Sequence, residues 1–368
     1  MKRSFIREIL EHTSSDTISF AGGLPDASLF PTMELQRATQ TALADDTIWQ
    51  YSTSTGYAPL KSLIAQMYSD KGFPTTADEI LITSGSQQGL DIIGRYYSGV
   101  SMTIESPSYL GALNIFKLNK MHTYSIPLGE DGIEIERFKE SIKKSKLAYL
   151  IPDFQNPSGT CYSAEHREQI ANILRASNTL LIEDAPYTEL YFDKPLQSIS
   201  QSLPKQSYHL GSFSKVLAPA LRIGWIRADK KLLTPLIAYK EAMDLHTSSI
   251  TQAIVYEYLK DTEQFREHLE TLRRAYKEKM LYFANALDEI LPSFDYTRPK
   301  GGMFIYGRFE GIDTMHLVQK CLEKGVVFVP GSEFGGKADE IRFNFTHSSL
   351  DKIREGLERI KEVINKIE

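Results

Sequence analysis

Short runs rich in β-branched and aromatic residues alternate with helical patterns from about residue 78 to residue 230. The candidate strands are residues 80–83, 102–105, 122–126, 147–151, 179–184, 208–211 and 222–226. An amphipathic helical pattern covers residues 164–177, and Ser163 before it is a favourable N-cap. This alternation predicts an α/β domain in which helices flank a mostly parallel, mixed sheet.

The pattern changes after about residue 250. A long charged helical stretch covers residues 263–290, and the chain closes on a second helical pattern at residues 349–367. Shorter candidate strands lie between them, at residues 303–309, 326–330 and 341–345. We therefore expect a smaller α+β domain after the larger one. The expected division is an N-terminal helix and arm (1–40) packing with the small domain and active site, a large domain (41–260), and a small C-terminal domain (261–368).

Composition excludes several function classes. The 368 residues carry a net charge of -5, which is no electrostatic footprint for nucleic acid or an anionic membrane. No apolar run approaches the length of a membrane span, and no secretory leader pattern follows the basic N-terminus. The two cysteines and eight histidines show no metal-binding spacing. We expect a cytoplasmic protein with no metal, nucleic-acid or membrane partner.

Polar residues gather where the predicted strands end. In open α/β sheets, ligands bind beyond the carboxyl ends of the strands. The small-residue turn 83–90, with Ser86 and Gln87, leads from a strand into a helix whose free N–H groups form an anion site. The other strand ends are followed by an aromatic residue, an amide, an acid with a phenol, and an amine: Tyr109, Asn156, Asp184 with Tyr187, and Lys215.

Each of these residues has an ordinary structural interpretation when taken alone. The turn could cap a helix, Asp184 could be a solvated charge, Tyr109 could be a core aromatic, and Lys215 could extend its amine to solvent. The ordered set instead favours one ligand. Pyridoxal phosphate needs an amine, an anion site, an acid for its pyridine nitrogen, hydrogen bonds to its phenolic oxygen and a ring to stack on.

Motifs along nearly the whole chain carry a family resemblance. The most specific is GSFSKVLAPALRIGW (211–225), and others include ISFAGGLPD (18–26), QNPSGT (155–160) and VPGSEFG (329–335). With them the chain resembles the fold-type I, class I/II aminotransferases, particularly the aromatic, kynurenine and 2-aminoadipate group. One departure is Ala220, where relatives commonly carry glycine.

The resemblance implies a reaction and a cofactor. The reaction is transfer of an amino group from an L-amino acid, aromatic or 2-aminoadipate-like, to a 2-oxo acid such as 2-oxoglutarate, with pyridoxal 5'-phosphate. By position, Lys215 binds the cofactor covalently and moves the proton. Asp184 pairs with the pyridine nitrogen, and Tyr109 stacks on the ring. Tyr187 and Asn156 hydrogen-bond the phenolic oxygen.

The same resemblance places the anionic groups. The cofactor phosphate is bound by Ser86, Gln87, Ser212, Ser214 and Arg222. Tyr51 reaches the phosphate across the interface of a homodimer with shared active sites. The substrate α-carboxylate is bound by Arg342, with Gly23 and Asn156 beside the substrate.

Arg7 is a further candidate substrate-binding residue. Phe5, Ile6, Ile9 and Leu10 form one side of a short amphipathic helix around it. In one interpretation Arg7 is a solvated charge on that helix. In the other, implied by the resemblance, the helix lies over the active site and Arg7 approaches the distal carboxylate of acidic substrates.

Two other functions remain as alternatives. A pyridoxal-phosphate lyase or decarboxylase would use the same lysine and aspartate. Some regulators carry this domain behind a winged helix. Because the motifs begin almost at Met1, we expect no DNA-binding module here.

Overall fold

The computed structural model of the chain describes residues 16–367. Its strands are β1 Ile18–Ser19, β2 Ile80–Thr83, β3 Ser101–Ser106, β4 His122–Gly129, β5 Gly132–Ile133, β6 Leu147–Leu150, β7 Leu180–Asp184, β8 Ser207–Ser212, β9 Gly224–Arg227, β10 Phe294–Tyr296, β11 Phe304–Phe309, β12 Val326–Val327, β13 Val329–Pro330 and β14 Glu340–Asn344. Its α-helices are α1 Thr32–Leu43, α2 Ala58–Asp70, α3 Ser86–Tyr96, α4 Leu110–Leu118, α5 Ile135–Ile142, α6 Ala164–Arg175, α7 Ile199–Ser202, α8 Lys230–Asp244, α9 Ser249–Leu259, α10 Thr262–Ile290, α11 Thr314–Glu323 and α12 Leu350–Ile367.

The larger sheet has eight strands in the order β2-β9-β8-β7-β6-β3-β4-β5. Strands β3, β4, β6, β7 and β8 run parallel, whereas β9 is antiparallel to both of its neighbours, and β5 is antiparallel to β4. The prediction of an α/β fold with a mostly parallel, mixed sheet is therefore confirmed. The central strand β6 is buried along its whole length, which explains why its sequence, LAYL, is a continuous apolar run.

A smaller antiparallel sheet follows, in the order β10-β11-β14-β13. The 29-residue helix α10 and the closing helix α12 pack against each other beside it. The N-terminal segment joins this sheet region, because β1 pairs in parallel with β12 and the backbone N–H of Asn344 donates to the Phe20 carbonyl at 2.8 Å. The first described residues are thus bound to the last part of the chain.

Several predicted bounds need correction. The strand predicted at 222–226 begins only at Gly224, because Arg222 ends a short 3-10 turn in the left-handed conformation, with φ of 53°. The run 326–330 is split at Phe328, since β12 pairs with β1 and β13 pairs with β14. The helix predicted at 164–177 ends at Arg175, and the prediction of Ser163 as its N-cap is confirmed.

None of the helices within residues 16–367 is long and apolar enough to cross a membrane. The same part of the chain contains no cluster of three or more histidine, cysteine, aspartate or glutamate side chains arranged to bind a metal ion.

Candidate active site

The register of three strands aligns two of the functional turns. Thr83 of β2 lies opposite Gly224 of β9, and Gly224 lies opposite Ser212 of β8. The turn after β2 and the turn after β8 therefore leave the sheet at the same edge, on either side of β9. A Cβ on Gly224 would lie 2.5 Å from the Ser86 backbone nitrogen, so this close approach requires glycine.

The turn after β2 forms an anion cradle at the start of α3. Its N-cap is Gly85, with φ of 83°, so the cap residue offers the helix no side-chain hydrogen bond. A Cβ on Gly85 would lie 2.6 Å from Nη2 of Arg222, so the guanidinium packs directly on the turn. Within the described part of the chain, Arg222 donates to two neutral carbonyls, to Ser84 at 3.2 Å and to Pro219 at 3.3 Å. Free helix N–H groups beside an arginine not bound to a carboxylate suit a phosphate dianion.

The turn after β8 carries Lys215. Its Nζ donates to the carbonyl of Gly23 at 2.7 Å. Burial lowers the pKa of Lys215 to about 8, and the positive charges of Arg342 and Arg222 act in the same direction. The amine therefore reaches its neutral, nucleophilic form far more readily than an exposed lysine does. In the same turn, the Ser214 amide donates to Oγ of Ser212 at 3.1 Å.

Asp184, at the end of β7, is a buried carboxyl group with one unsatisfied oxygen. Asp184 is only 2% exposed, and its Oδ2 accepts a hydrogen bond from the Tyr149 hydroxyl at 2.8 Å. Oδ1 is buried without a hydrogen-bond partner among the described residues. Burial raises the pKa of Asp184 to about 6, against the opposing effect of the Tyr149 hydrogen bond. A cationic N–H donor at Oδ1 would satisfy this oxygen and restore the ionised form.

Arg342, on β14, is a buried cation whose hydrogen bonds go to uncharged groups. Nη1 donates to Oδ1 of Asn156 at 2.7 Å, and Nη2 donates to the carbonyl of Ala21. Nε is buried and has no partner within the described chain. The guanidinium lies over the Phe304 ring, 4.3 Å from its centroid, and burial lowers the pKa of Arg342 to about 10. A buried guanidinium in this state suits a carboxylate ligand.

Hydrogen bonds join the remaining predicted residues to these groups. Nδ2 of Asn156 donates to the hydroxyl of Tyr187 at 3.2 Å, and burial raises the pKa of that phenol. The hydroxyl of Tyr109 donates to Oε1 of Gln87 at 2.9 Å, which connects the loop after β3 to the start of α3.

The structure thus brings most of the predicted site residues to one edge of the sheet. For two predicted residues the described contacts show no link to these groups or say nothing. Tyr51 is 78% exposed and its ring contacts that of His246, with centroids 5.9 Å apart. Arg7 lies outside the described residues.

Sequence reasoning missed two buried supports of the site. Tyr149 lies inside a predicted strand, where its hydroxyl binds Asp184. Glu105 is fully buried, and its carboxylate accepts from the Ile151 amide at 2.9 Å, Nε2 of Gln155 at 3.0 Å and the Tyr162 hydroxyl at 2.7 Å. It thereby holds the loop that carries Asn156. The available signal was a glutamate directly after Ile104 in a predicted strand, because glutamate is rarely buried without hydrogen-bond partners.

Comparison with known proteins identifies the family. The family model for aminotransferase class I and II matches residues 17–360. The chain belongs to the class I and II aminotransferases. Among its relatives, the 2-aminoadipate transaminase of Thermus thermophilus is 37% identical over 377 residues, covering 98% of this chain and 93% of the relative. The aromatic-amino-acid aminotransferase 1 of Thermococcus litoralis is 35% identical, covering 99% and 92%.

Solved structures give the same result. The α-aminoadipate aminotransferase of Thermus thermophilus, complexed with N-(5'-phosphopyridoxyl)-L-leucine, superposes with a TM-score of 0.92 at 35% identity, covering 100% of this chain and 95% of that one. The chain is therefore a transaminase of fold type I, and the cofactor of its family is pyridoxal phosphate.

The residues present fit this cofactor. The orphaned Oδ1 of Asp184 suits a protonated pyridine nitrogen, and the turn around Gly85 suits a phosphate. The amine of Lys215 suits covalent attachment, because burial favours its neutral form. Three independent features of the described chain thus match three different parts of one molecule.

The lowered pKa of Lys215 gives a direct prediction for the cofactor-free protein. Only a neutral amine reacts with acetic anhydride, so the acetylation rate of Lys215 should rise with pH and level off above about 8. Lys230 is the control, because the hydrogen bond to Asp78 raises its pKa. Its rate should still be rising where that of Lys215 is constant. Mass spectrometry of peptides measures both rates, and matching pH profiles would contradict the assignment.

Proposed function

We propose that this transaminase transfers the amino group of an aromatic or 2-aminoadipate-like L-amino acid to a 2-oxo acid such as 2-oxoglutarate. The observation that carries the proposal is the buried guanidinium of Arg342, which has no charged hydrogen-bond partner among residues 16–367 and adds to the effect of burial in lowering the pKa of Lys215. A substrate α-carboxylate would neutralise this cation beside the reactive amine. The substrate class is taken from the two relatives, a 2-aminoadipate transaminase and an aromatic-amino-acid aminotransferase.

The proposed roles follow from where each group lies. Bound pyridoxal phosphate supplies an electron sink that makes the α-hydrogen of an amino acid acidic. Lys215 holds the cofactor covalently and then carries the proton at the substrate α-carbon. Asp184 holds a proton on the pyridine nitrogen through its free Oδ1. Lys215, Asp184 and Tyr187 are thus the proposed catalytic residues.

Orientation of the substrate falls to Arg342. Its unpartnered Nε and an Nη group can bind both oxygens of a carboxylate, which fixes the α-carbon in one orientation. Asn156 contacts both Arg342 and Tyr187, so it connects the substrate carboxylate to the phenolic side of the cofactor. Gly23 lies at the same place, since a Cβ there would be 3.8 Å from Nζ of Lys215. Tyr109 is proposed to stack on the ring.

The phosphate is assigned to the cradle at α3. The proposed ligands are the N-terminal residues of the helix, two serines of the lysine turn and one arginine: Ser86, Gln87, Ser212, Ser214 and Arg222. We also propose a homodimer in which Tyr51 reaches the phosphate of the second subunit. The exposure of Tyr51 (78%) and of Trp49 (61%) supports this, because large apolar surfaces of this kind are typical of interfaces.

Two further proposals concern the location and the division of the chain. Both cysteines, Cys161 and Cys321, are free, which supports a reducing compartment such as the cytoplasm. A division near residues 40 and 260 is supported by the pairing of β1 with β12 and by the start of α10 at Thr262.

A panel of amino donors tests the proposed reaction. The purified holoenzyme is mixed with 2-oxoglutarate and single L-amino acids, including 2-aminoadipate, tyrosine, phenylalanine and kynurenine. We expect glutamate to form with an aromatic donor, with 2-aminoadipate or with both. Release of ammonia and pyruvate, or of carbon dioxide, without glutamate would indicate the lyase or decarboxylase alternative instead.

Replacing Asp184 by asparagine tests its proposed role. Asp184→Asn keeps the shape but loses the charge that holds the pyridine proton, so kcat/KM should fall about a hundredfold or more. The visible absorption of the bound cofactor should also change its dependence on pH. The matched control is Glu183→Gln, because this buried neighbour binds the Ile199 and Ser200 amides and is assigned no role with the cofactor. Normal turnover by Asp184→Asn would contradict the proposal that Asp184 pairs with the pyridine nitrogen.

A further inference from the structure

A cavity of about 400 Å³ lies beside the active site, between α2, the segment after β7 and the start of α10. Its wall is largely aromatic and aliphatic, and includes Tyr68, Phe73, Phe213, Val216, Trp225 and Phe265. This volume falls within the range of about 300–1,000 Å³ that is typical of small-molecule sites.

Two backbone segments that carry active-site residues also line the cavity. In the turn after β8, Phe213 and Val216 line the cavity, whereas Lys215 between them donates to the Gly23 carbonyl. After β7, Ala185 and Pro186 line the cavity and separate Asp184 from Tyr187 along the chain. A molecule in the cavity would therefore press on the backbone segments that carry the reactive amine and the buried carboxyl group.

The polar groups inside the cavity already bind one another. Nε1 of Trp225 donates to the Tyr68 hydroxyl at 2.8 Å, and that hydroxyl lies 2.7 Å from Nδ1 of His209. Burial lowers the pKa of His209 to about 3, so the imidazole is neutral. The interior thus offers an uncharged aromatic surface whose polar atoms have partners, which suits a flat apolar ring system.

Among the described residues that line the cavity, two side chains are charged. Lys71 and Glu189 both line the cavity and form an ion pair. Glu189 also accepts from Nη2 of Arg273 at 3.0 Å. Two cations share one carboxylate, and the Lys71 side chain remains 56% exposed. This excess positive charge at the end of an apolar space suits a ligand with one carboxylate.

We propose that this cavity is a second ligand site, which takes a small aromatic carboxylate with its ring among Phe213, Trp225 and Phe265 and its carboxylate at Lys71. Occupation of the site lowers turnover by displacing the Lys215 turn. The effect on turnover rests on the proposed transaminase reaction, whereas binding does not.

Calorimetric titration of the holoenzyme with indole-3-acetate tests the proposal. This probe has neither an amino group nor a keto group, so it cannot be turned over. Three variants locate the bound probe. Met67→Trp fills the cavity from α2, Lys71→Met removes the proposed carboxylate partner, and Lys230→Met is the control. Lys230 matches Lys71 because it is also an exposed lysine in an ion pair, with side-chain exposures of 62% and 56%.

We expect the probe to bind the wild type and Lys230→Met equally. Binding should weaken about three- to fivefold in Lys71→Met, as for a partly exposed ion pair, and should be lost in Met67→Trp. Inhibition of transamination should lower kcat without raising KM for the amino donor. Melting curves verify that each variant is folded. If Met67→Trp does not fold, the affinity of Lys71→Met alone decides the outcome.

Three results would overturn the proposal: no heat of binding to the wild type, equal affinity in wild type and Lys71→Met, or purely competitive inhibition, which places the probe at the active site. Because the titration needs no turnover, binding would still be measurable in a protein that failed the amino-donor panel. The two hypotheses therefore fail separately.

Discussion

The electrostatic balance of the candidate active site depends on two buried basic groups and one buried acid that form no hydrogen bond with an opposite charge among residues 16–367. Lys215 hydrogen-bonds a carbonyl, Arg342 hydrogen-bonds an amide and a carbonyl, and Asp184 hydrogen-bonds a phenol. Burial without an opposite charge lowers the pKa of Lys215 to about 8 and raises that of Asp184 to about 6. The rest of the fold holds these ionisable groups in an unfavourable environment, without opposite charges. A bound cofactor and substrate can supply those charges, and such sites are commonly functional.

The mixed sheet makes this arrangement possible. Because β9 runs antiparallel between β2 and β8, its starting residue Gly224 lies level with the carboxyl ends of both neighbours. Arg222, two residues earlier, therefore lies at the functional edge. The small sheet contributes Arg342 and Phe304, and the arm paired with it contributes Gly23. Residues distant in the chain thus meet at one edge because two sheets and an arm converge there.

The sequence could predict those site residues that come directly after a strand. The sequence predicts that Asn156, Asp184 and Lys215 lie together, because the carboxyl ends of parallel strands share an edge whatever their side chains are. The support of Asp184 by Tyr149 could not be found in this way, since it depends on which face of a buried strand the tyrosine occupies. The start of β9 was predicted two residues early, because a left-handed arginine leaves no periodic signal. The cavity was missed as well, because Phe213, Trp225 and Phe265 come together only through tertiary packing.

The identity of the lysine that carries the cofactor is the central claim, and one measurement tests it directly. The holoenzyme is treated with sodium borohydride, which reduces the covalent link between the cofactor and its lysine to a stable bond. The digested protein is then mapped by mass spectrometry. The account predicts a phosphopyridoxyl group on Lys215, with the other lysines unmodified. A phosphopyridoxyl group on a different lysine would contradict the account. So would the absence of any modified lysine from a protein that binds the cofactor.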